Sequence, residues 1–238
     1  LKKCDSIIRV NKKDIPLFQK LGIEKNRLHH IGNGYDSKKY FPLNKDKERE
    51  LLNLPKEKKI ILNIGRLSEE KGQNFLISAI AEIQQKRTDC ICYIGGDGPD
   101  REKLIAQICK EHLQNKVFLI GFVPDNVMVH WMNACDIFVL PSLSESFGIV
   151  QIEAMACGKP VVATRNGGSE EIIISDDFGL LVNPGNSVDL AEKIIIALER
   201  QWNTEKIQQY AYLFTWEIIS KKITGIYQQL LIEGENSE

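Results

Sequence analysis

From Lys59 onward the chain alternates short apolar runs with helical patterns, and that alternation leaves few folds open. Strands are predicted at 59–64, 90–94, 117–120, 136–140, 160–164 and 179–182. Helices are predicted at about 72–87, 99–113, 125–134, 147–157, 168–174 and 187–200. In the first helix Phe75, Leu76, Ala79, Ile80 and Ile83 recur at helical spacing and form one apolar stripe. A strand followed by a helix and another strand makes a parallel crossover. The pattern therefore predicts an α/β fold: a doubly wound, Rossmann-like parallel sheet of about six strands. Ligands of such sheets bind beyond the C-terminal ends of the strands, so the loops that follow the strands are where chemistry is to be sought.

The most marked of these loops opens the stretch Pro141–Pro160, between the strands at 136–140 and 160–164. Glu145 stands in its polar turn and Glu153 stands eight positions on, along the helix. Between them Ser146, Phe147, Gly148 and Ile149 are expected to open the helix with unpaired backbone N–H groups, an arrangement that suits a phosphate. An anion cradle with an acid on either side fits a ligand with phosphates in the middle and hydroxyls at both ends, such as a nucleotide-sugar. The other use of two acids, a glycosidase pair, needs carboxyls facing each other across a sugar bond. Here one acid lies roughly 8 Å of helix rise beyond the other's loop, so the cradle is the better fit.

Four further loops fall on the same edge. Gly65-Arg-Leu-Ser-Glu-Glu-Lys71-Gly72 carries two cations. Arg66 is able to fork onto a diphosphate and Lys71 adds a point charge, or the loop is simply solvated. Gly95-Gly-Asp-Gly-Pro99 places Gly96 and Asp97 where a backbone approaches a ligand closely, or forms a plain tight turn. Its position, after the second strand, disfavours a dinucleotide fingerprint. Gly121-Phe-Val-Pro124 offers Phe122 and Val123 to a flat base, or to ordinary packing. Arg165-Asn-Gly-Gly-Ser-Glu-Glu171 reads as a close-approach loop, or as a turn with acids suited to a helix start.

The flanks are less regular. Ser6–Val10 and Arg27–Ile31 read as short strands around a helix at 13–21, too little to bury much alone. Residues 37–58 are charged, hold Pro42 and Pro55, and read as a hinge with a short helix at 48–54. The sheet domain follows at 59–203, and residues 204–238 read as two helices, the last carrying Trp216, Ile219, Ile223, Ile226, Tyr227 and Leu230. The final Gly-Glu-Asn-Ser-Glu is expected to fray. The chain starts at Leu1 and reads as a piece of a longer protein. A net charge of −1 gives no electrostatic case for nucleic acid. The apolar runs are too short to span a bilayer. The six cysteines show no zinc or redox spacing and read as buried thiols of a reducing compartment.

Taken together, Gly65-Arg-Leu…Lys71-Gly72, Gly95-Gly-Asp-Gly-Pro99, Gly121-Phe-Val-Pro124, Glu145-Ser-Phe-Gly…Glu153-Ala-Met-Ala-Cys-Gly-Lys-Pro160 and Gly167-Gly-Ser-Glu170 resemble the retaining GT-B glycosyltransferases, over about residues 5 to 232. The resemblance implies that this chain is the C-terminal, donor-binding half of such an enzyme. Residues 1–36 would be a remnant of the acceptor domain and the crossover, and residues 204–238 the helices that cross back. It implies that Arg66 and Lys71 hold the donor diphosphate and Glu145 the sugar hydroxyls. Gly65, Gly96 and Asp97 would lie along the donor, with Ser146, Phe147, Gly148 and Ile149 presenting N–H groups to it. Glu153 would take the ribose hydroxyls, and Phe122 and Val123 would flank the base. It implies no metal and no cofactor, only a UDP- or GDP-linked sugar as substrate, and no Asp-x-Asp occurs in the chain. The partners implied are that donor and a glycan, lipid-linked or small-molecule acceptor. The expected setting is the cytoplasm and the inner membrane face, with membrane contact through the absent domain. The family's key His belongs to that domain, and His29, His30, His112 and His130 do not replace it. Two other functions share these features: a non-catalytic nucleotide-sugar module, and a GT-B sugar-nucleotide epimerase, which would not need the Glu145–Glu153 signature.

Overall fold

The computed structural model describes residues 4–235. A parallel pair, β1 (Ile7–Arg9) and β2 (Leu28–His30), brackets α1 (Ile15–Lys20) and is followed by α2 (Lys45–Leu51). The main sheet is built from β3 (Lys59–Ile64), β4 (Cys90–Gly95), β5 (Val117–Gly121), β6 (Ile137–Leu140), β7 (Val161–Thr164) and β8 (Gly179–Val182). Its crossovers are α3 (Gln73–Lys86), α4 (Arg101–Lys110), α5 (Asp125–Ala134), α6 (Ile149–Ala156) and α7 (Ser169–Ile172). The chain continues through α8 (Ser187–Glu199), α9 (Thr204–Tyr212) and α10 (Trp216–Glu235).

All six main strands run parallel, in the order β5-β4-β3-β6-β7-β8. The order reverses between β3 and β6, which opens a crevice at their C-terminal ends. Alternation along the strands sends side chains to two cores. Ile60, Leu62, Ile64, Phe138 and Leu140 meet Met132, Ile152, Met155 and Ile207 on one face. Ile61, Ile137 and Val139 meet Leu76, Ile80, Ile83, Leu104 and Ile194 on the other. Every residue of β6 and β7 is buried, as expected for central strands covered on both faces.

Several boundaries differ from expectation for local reasons. The helix expected from residue 147 begins at Ile149, because Gly148 caps it in the left-handed region (φ 80°) and Phe147 turns into the core. Residues 12–14 form a 3-10 turn ahead of α1, and α4 stops before the left-handed His112 (φ 56°). α7 spans only Ser169–Ile172. The short helix of the charged stretch starts earlier, where the Asn44 side chain accepts the Asp46 and Lys47 N–H groups.

That stretch, read as a hinge, is docked on the sheet. Arg49, 2% exposed, donates to Ala134 O (2.9 Å), Lys56 O (2.7 Å), Lys58 O (3.1 Å) and Asp136 Oδ2 (2.7 Å). Asp136 also accepts Ile60 N–H at 2.7 Å, so this anchor holds the strand ends opposite the crevice.

Four cysteines are buried, but Cys4 and Cys109 are exposed, against the expectation for all six. On α10, Ile219 is buried and Ile223, Ile226 and Leu230 are half-buried, whereas Trp216 and Tyr227 lie exposed on the flank of that stripe. The helix continues through Gly234 and Glu235, where fraying was expected, and residues 236–238 lie outside the described residues. Among the described residues no helix is long and apolar enough to cross a membrane.

Candidate functional site

Two loops meet at the switch point. The loop after β3 runs from Gly65 to Gly72, and the loop after β6 runs from Pro141 to Gly148. Leu143 N–H donates to Glu70 O at 2.7 Å and ties one to the other. Between them lies a cleft of ≈ 350 Å³. Gly65, Arg66, Lys71, Glu145, Ser146, Phe147, Gly148 and Ile149 line it, with Asn33, Ile64, Leu140 and Val150.

The centre of the cleft is an ion pair. Lys71 Nζ donates to Glu145 Oε1 at 2.7 Å, with side chains 24% and 12% exposed. Ser142, fully buried, donates its hydroxyl to the same oxygen at 2.9 Å. Thr164 in turn donates its hydroxyl to Ser142 O. The Glu145 N–H donates to Asn166 O at 3.2 Å, and the Asn166 side chain caps the N–H groups of Gly168 (3.1 Å) and Ser169 (2.9 Å). Glu145 is thus held by a buried polar network spanning the loops after β6 and β7. Arg66 stands exposed at the mouth.

The start of α6 completes the cleft. Gln151 N–H turns back onto Gly148 O at 3.0 Å. The N–H groups of Ile149 and Val150 find no acceptor among the described residues, and both residues line the cleft. Such a helix end carries partial positive charge.

Other predicted residues lie elsewhere. Glu153 does not line the cleft; it lies half-buried near Tyr40, whose hydroxyl donates to Met128 Sδ at 3.2 Å. Burial pushes the Glu153 carboxyl up to about 7, against the opposing pull of the Lys39 charge and the nearby Tyr40 hydroxyl. Gly96 (φ 134°) sits under the Gly65 loop, where a Cβ would lie 1.9 Å from Gly65 O. Leu67 N–H donates to Asp97 O at 2.9 Å. This glycine loop buttresses the cation loop, and the Asp97 side chain is exposed. Phe122 is 76% exposed, while Val123 is buried against Gly95.

Asn33, which lines the cleft, Ser142, which holds Glu145, and Tyr40, beside Glu153, were not singled out as site residues in the sequence. Among the histidines, His30 pairs with Glu171 (2.6 Å) and His130 with Glu48 (2.6 Å), both away from the cleft lining. Among the described residues no three His, Cys, Asp or Glu side chains gather as metal ligands.

The fold defines a doubly wound α/β domain of Rossmann strand order, with the cleft at its switch point. Residues 44–214 match the family described as glycosyl transferases group 1, and the chain belongs to that family. It is 30% identical over 255 residues to mannosylfructose-phosphate synthase of Agrobacterium fabrum, covering 98% of this chain and 54% of that protein. Sucrose-phosphate synthase from Thermosynechococcus elongatus superposes with a TM-score of 0.83 at 27% identity, over 98% of this chain and 60% of that one. Anabaena Alr3699/HepE, solved in complex with UDP, gives a TM-score of 0.84 at 29% identity, over 95% of this chain and 64% of that one. The chain spans about half the length of the curated relatives it matches.

Proposed function

We propose that this chain is the donor-binding half of a retaining glycosyltransferase. The enzyme moves a hexosyl group from a nucleoside-diphosphate sugar to a glycan, lipid-linked or small-molecule acceptor, in surface polysaccharide or glycoconjugate synthesis. The observation that carries this reading is the convergence of Lys71, Arg66 and the free N–H groups at the start of α6 on one cleft with Glu145. Cations and helix-end dipoles stabilise the charge that develops on a departing diphosphate, and they act without a metal. Lys71 and Arg66 hold the diphosphate, and Glu145 turns to the sugar hydroxyls as a phosphate replaces it on Lys71. Gly65, Gly96 and Asp97 shape the wall of the cation loop. Glu153, four residues beyond Ile149, takes the ribose hydroxyls, and the 122–123 loop flanks the base. The acceptor attacks the oxocarbenium-like sugar on the face the diphosphate leaves, which retains configuration. We place the enzyme in the cytoplasm, with membrane contact through the acceptor half.

Calorimetric titration with UDP, GDP and ADP, with and without EDTA, tests this reading. One nucleotide binding in the micromolar range, unchanged by EDTA, is the expected outcome. Binding of none, or binding lost with EDTA, overturns the metal-free donor site.

A further inference from the structure

The segment that precedes the sheet domain reaches into the donor site through one side chain. Asn11 is 6% exposed, lies two residues beyond β1 and caps the 3-10 turn ahead of α1. Its Oδ1 accepts the Lys13 N–H at 2.7 Å, which fixes the orientation of the amide. Its Nδ2 then faces three carbonyls from two distant loops: Ser146 O at 3.0 Å, Gly167 O at 3.2 Å and Glu145 O at 3.5 Å. Among the described residues no other group donates to the Ser146 and Gly167 carbonyls. The side chain therefore joins the acid turn after β6 to the glycine loop after β7, from a segment lying outside the sheet.

We propose that Asn11 is a positioning residue for the donor site: through its own amide, rather than through the docking of residues 4–31 in general, it staples the Glu145–Ser146 turn to Gly167 and so sets the geometry of the cleft. The inference rests on the donor-site reading given above. Two observations support it. The polar network that holds Glu145 runs through Ser142, Thr164 and Asn166, and so joins the same two loops that Asn11 bridges from outside. The segment is also moored at a second point on the same side, where Glu171 of α7 accepts the Lys12 N–H at 2.7 Å and its other carboxylate oxygen lies 2.6 Å from His30 Nε2. Asn suits the position because one planar amide supplies an acceptor inward to its own turn and two donors outward. A Ser hydroxyl keeps the cap on Lys13 but does not span to both loops.

The test uses Asn11→Asp, which keeps the acceptor and replaces the donor with an oxygen facing carbonyls, and Asn11→Ser, which shortens the side chain. Ile23→Ala serves as a control that loosens the segment's own small core and leaves the Asn11 bonds in place. Hydrogen exchange is followed at the Glu145 and Gly168 amides, both of which are bonded in this network. UDP and GDP affinities are measured alongside, with folding checked by thermal melts. The expected result is faster exchange at these amides and affinity reduced about three- to tenfold in Asn11→Ser, with Ile23→Ala unchanged in both. Unchanged exchange at the two amides in both Asn11 variants overturns the staple. Equal losses in Ile23→Ala and Asn11→Ser also overturn it, because they mean a general docking effect. If the unsubstituted protein takes up neither UDP nor GDP, the donor-site reading fails and the exchange data alone decide for or against Asn11.

Discussion

Lys71 Nζ lies 2.7 Å from Glu145 Oε1, so the cation expected on a donor phosphate is held by the acid expected on its sugar. A bound diphosphate competes with that carboxylate for the same ammonium. Lys71→Ala and Arg66→Ala should each weaken binding of the preferred nucleoside diphosphate by about 1.5–3 kcal/mol, the loss of a charged hydrogen bond. Glu145→Gln should act in the opposite direction on the bare nucleotide. Removing the competitor frees Lys71 and tightens binding by about 0.5–1 kcal/mol, while the matching sugar-nucleotide gains nothing, because its hydroxyls lose their acceptor. Calorimetry on both ligands decides; equal changes for nucleotide and sugar-nucleotide would take Glu145 off the sugar.

Glu153 gives a pH prediction. Burial lifts its folded carboxyl from the ordinary 4.5 to about 7. Between those values the unfolded chain has released a proton that the native state keeps, so stability falls as pH rises through this window. Glu153→Gln should remove that fall and gain on the original protein above about pH 7, by on the order of 3 kcal/mol for a shift of this size. Urea midpoints on either side of the window measure it, and parallel pH profiles for the two proteins would remove Glu153 as the cause. The same variant reports on ribose: it should weaken a ribonucleotide more than its dideoxy analogue.

How far the structure was legible in the sequence depended on where each residue's surroundings come from. Ile60-Ile61-Leu62 and Ile137–Leu140 announce central strands because a strand covered on both faces reads as a near-continuous apolar run. Lys71 and Glu145 were legible because glycines mark their loops and both loops follow strands. Asn11 was not legible, because its acceptors lie 135 and 156 residues away and no local pattern encodes them. Arg49 sits in a charged run that looks solvated, yet it is buried by the carbonyls of residues 56, 58 and 134. Gly96 was expected to make room for a ligand, and in the fold it makes room for the Gly65 carbonyl. A sequence shows that a side chain is missing, but not what moves into the space.

The Arg49–Asp136 anchor should separate stability from binding. Removing one member of a buried pair strands the other, so Arg49→Ala should cost about 3–5 kcal/mol. Burial raises the Asp136 carboxyl, but the Ile60 N–H, Arg49 and Lys45 outweigh it and hold it below the usual carboxylate range. A depressed folded value means the contribution is complete above the usual range and is lost as pH falls through and below it. Arg49→Ala should therefore lose part of the acid dependence seen in the original protein. Because the anchor lies at the opposite strand ends from the cleft, nucleotide affinity of the folded variant should stay the same. A loss of affinity at a pH where the variant is folded would mean the two ends of the sheet are coupled.

Gly148 should be the least replaceable glycine of the cleft, and its replacement probes the helix start directly. Its φ of 80° lies in the left-handed region, and an added Cβ would meet Gln151 Nε2 at 2.4 Å. That amide donates to Phe147 O at 3.2 Å and Gly148 O at 3.3 Å, bonds that fix the turn into α6. Gly148→Ala should lose about 1–2 kcal/mol from backbone conformation alone, and more from displacing Gln151. Any shift of the turn moves the Ile149 and Val150 N–H groups, so nucleoside-diphosphate affinity should fall along with stability. Gly148→Ala combined with Gln151→Ala separates the two causes, since the second change removes the clash and leaves the backbone strain. If the pair recovers stability but not affinity, the bonded Gln151 amide is what aims the helix start at the phosphate. If it recovers both, the helix start aims itself and Gln151 only fills the space behind it.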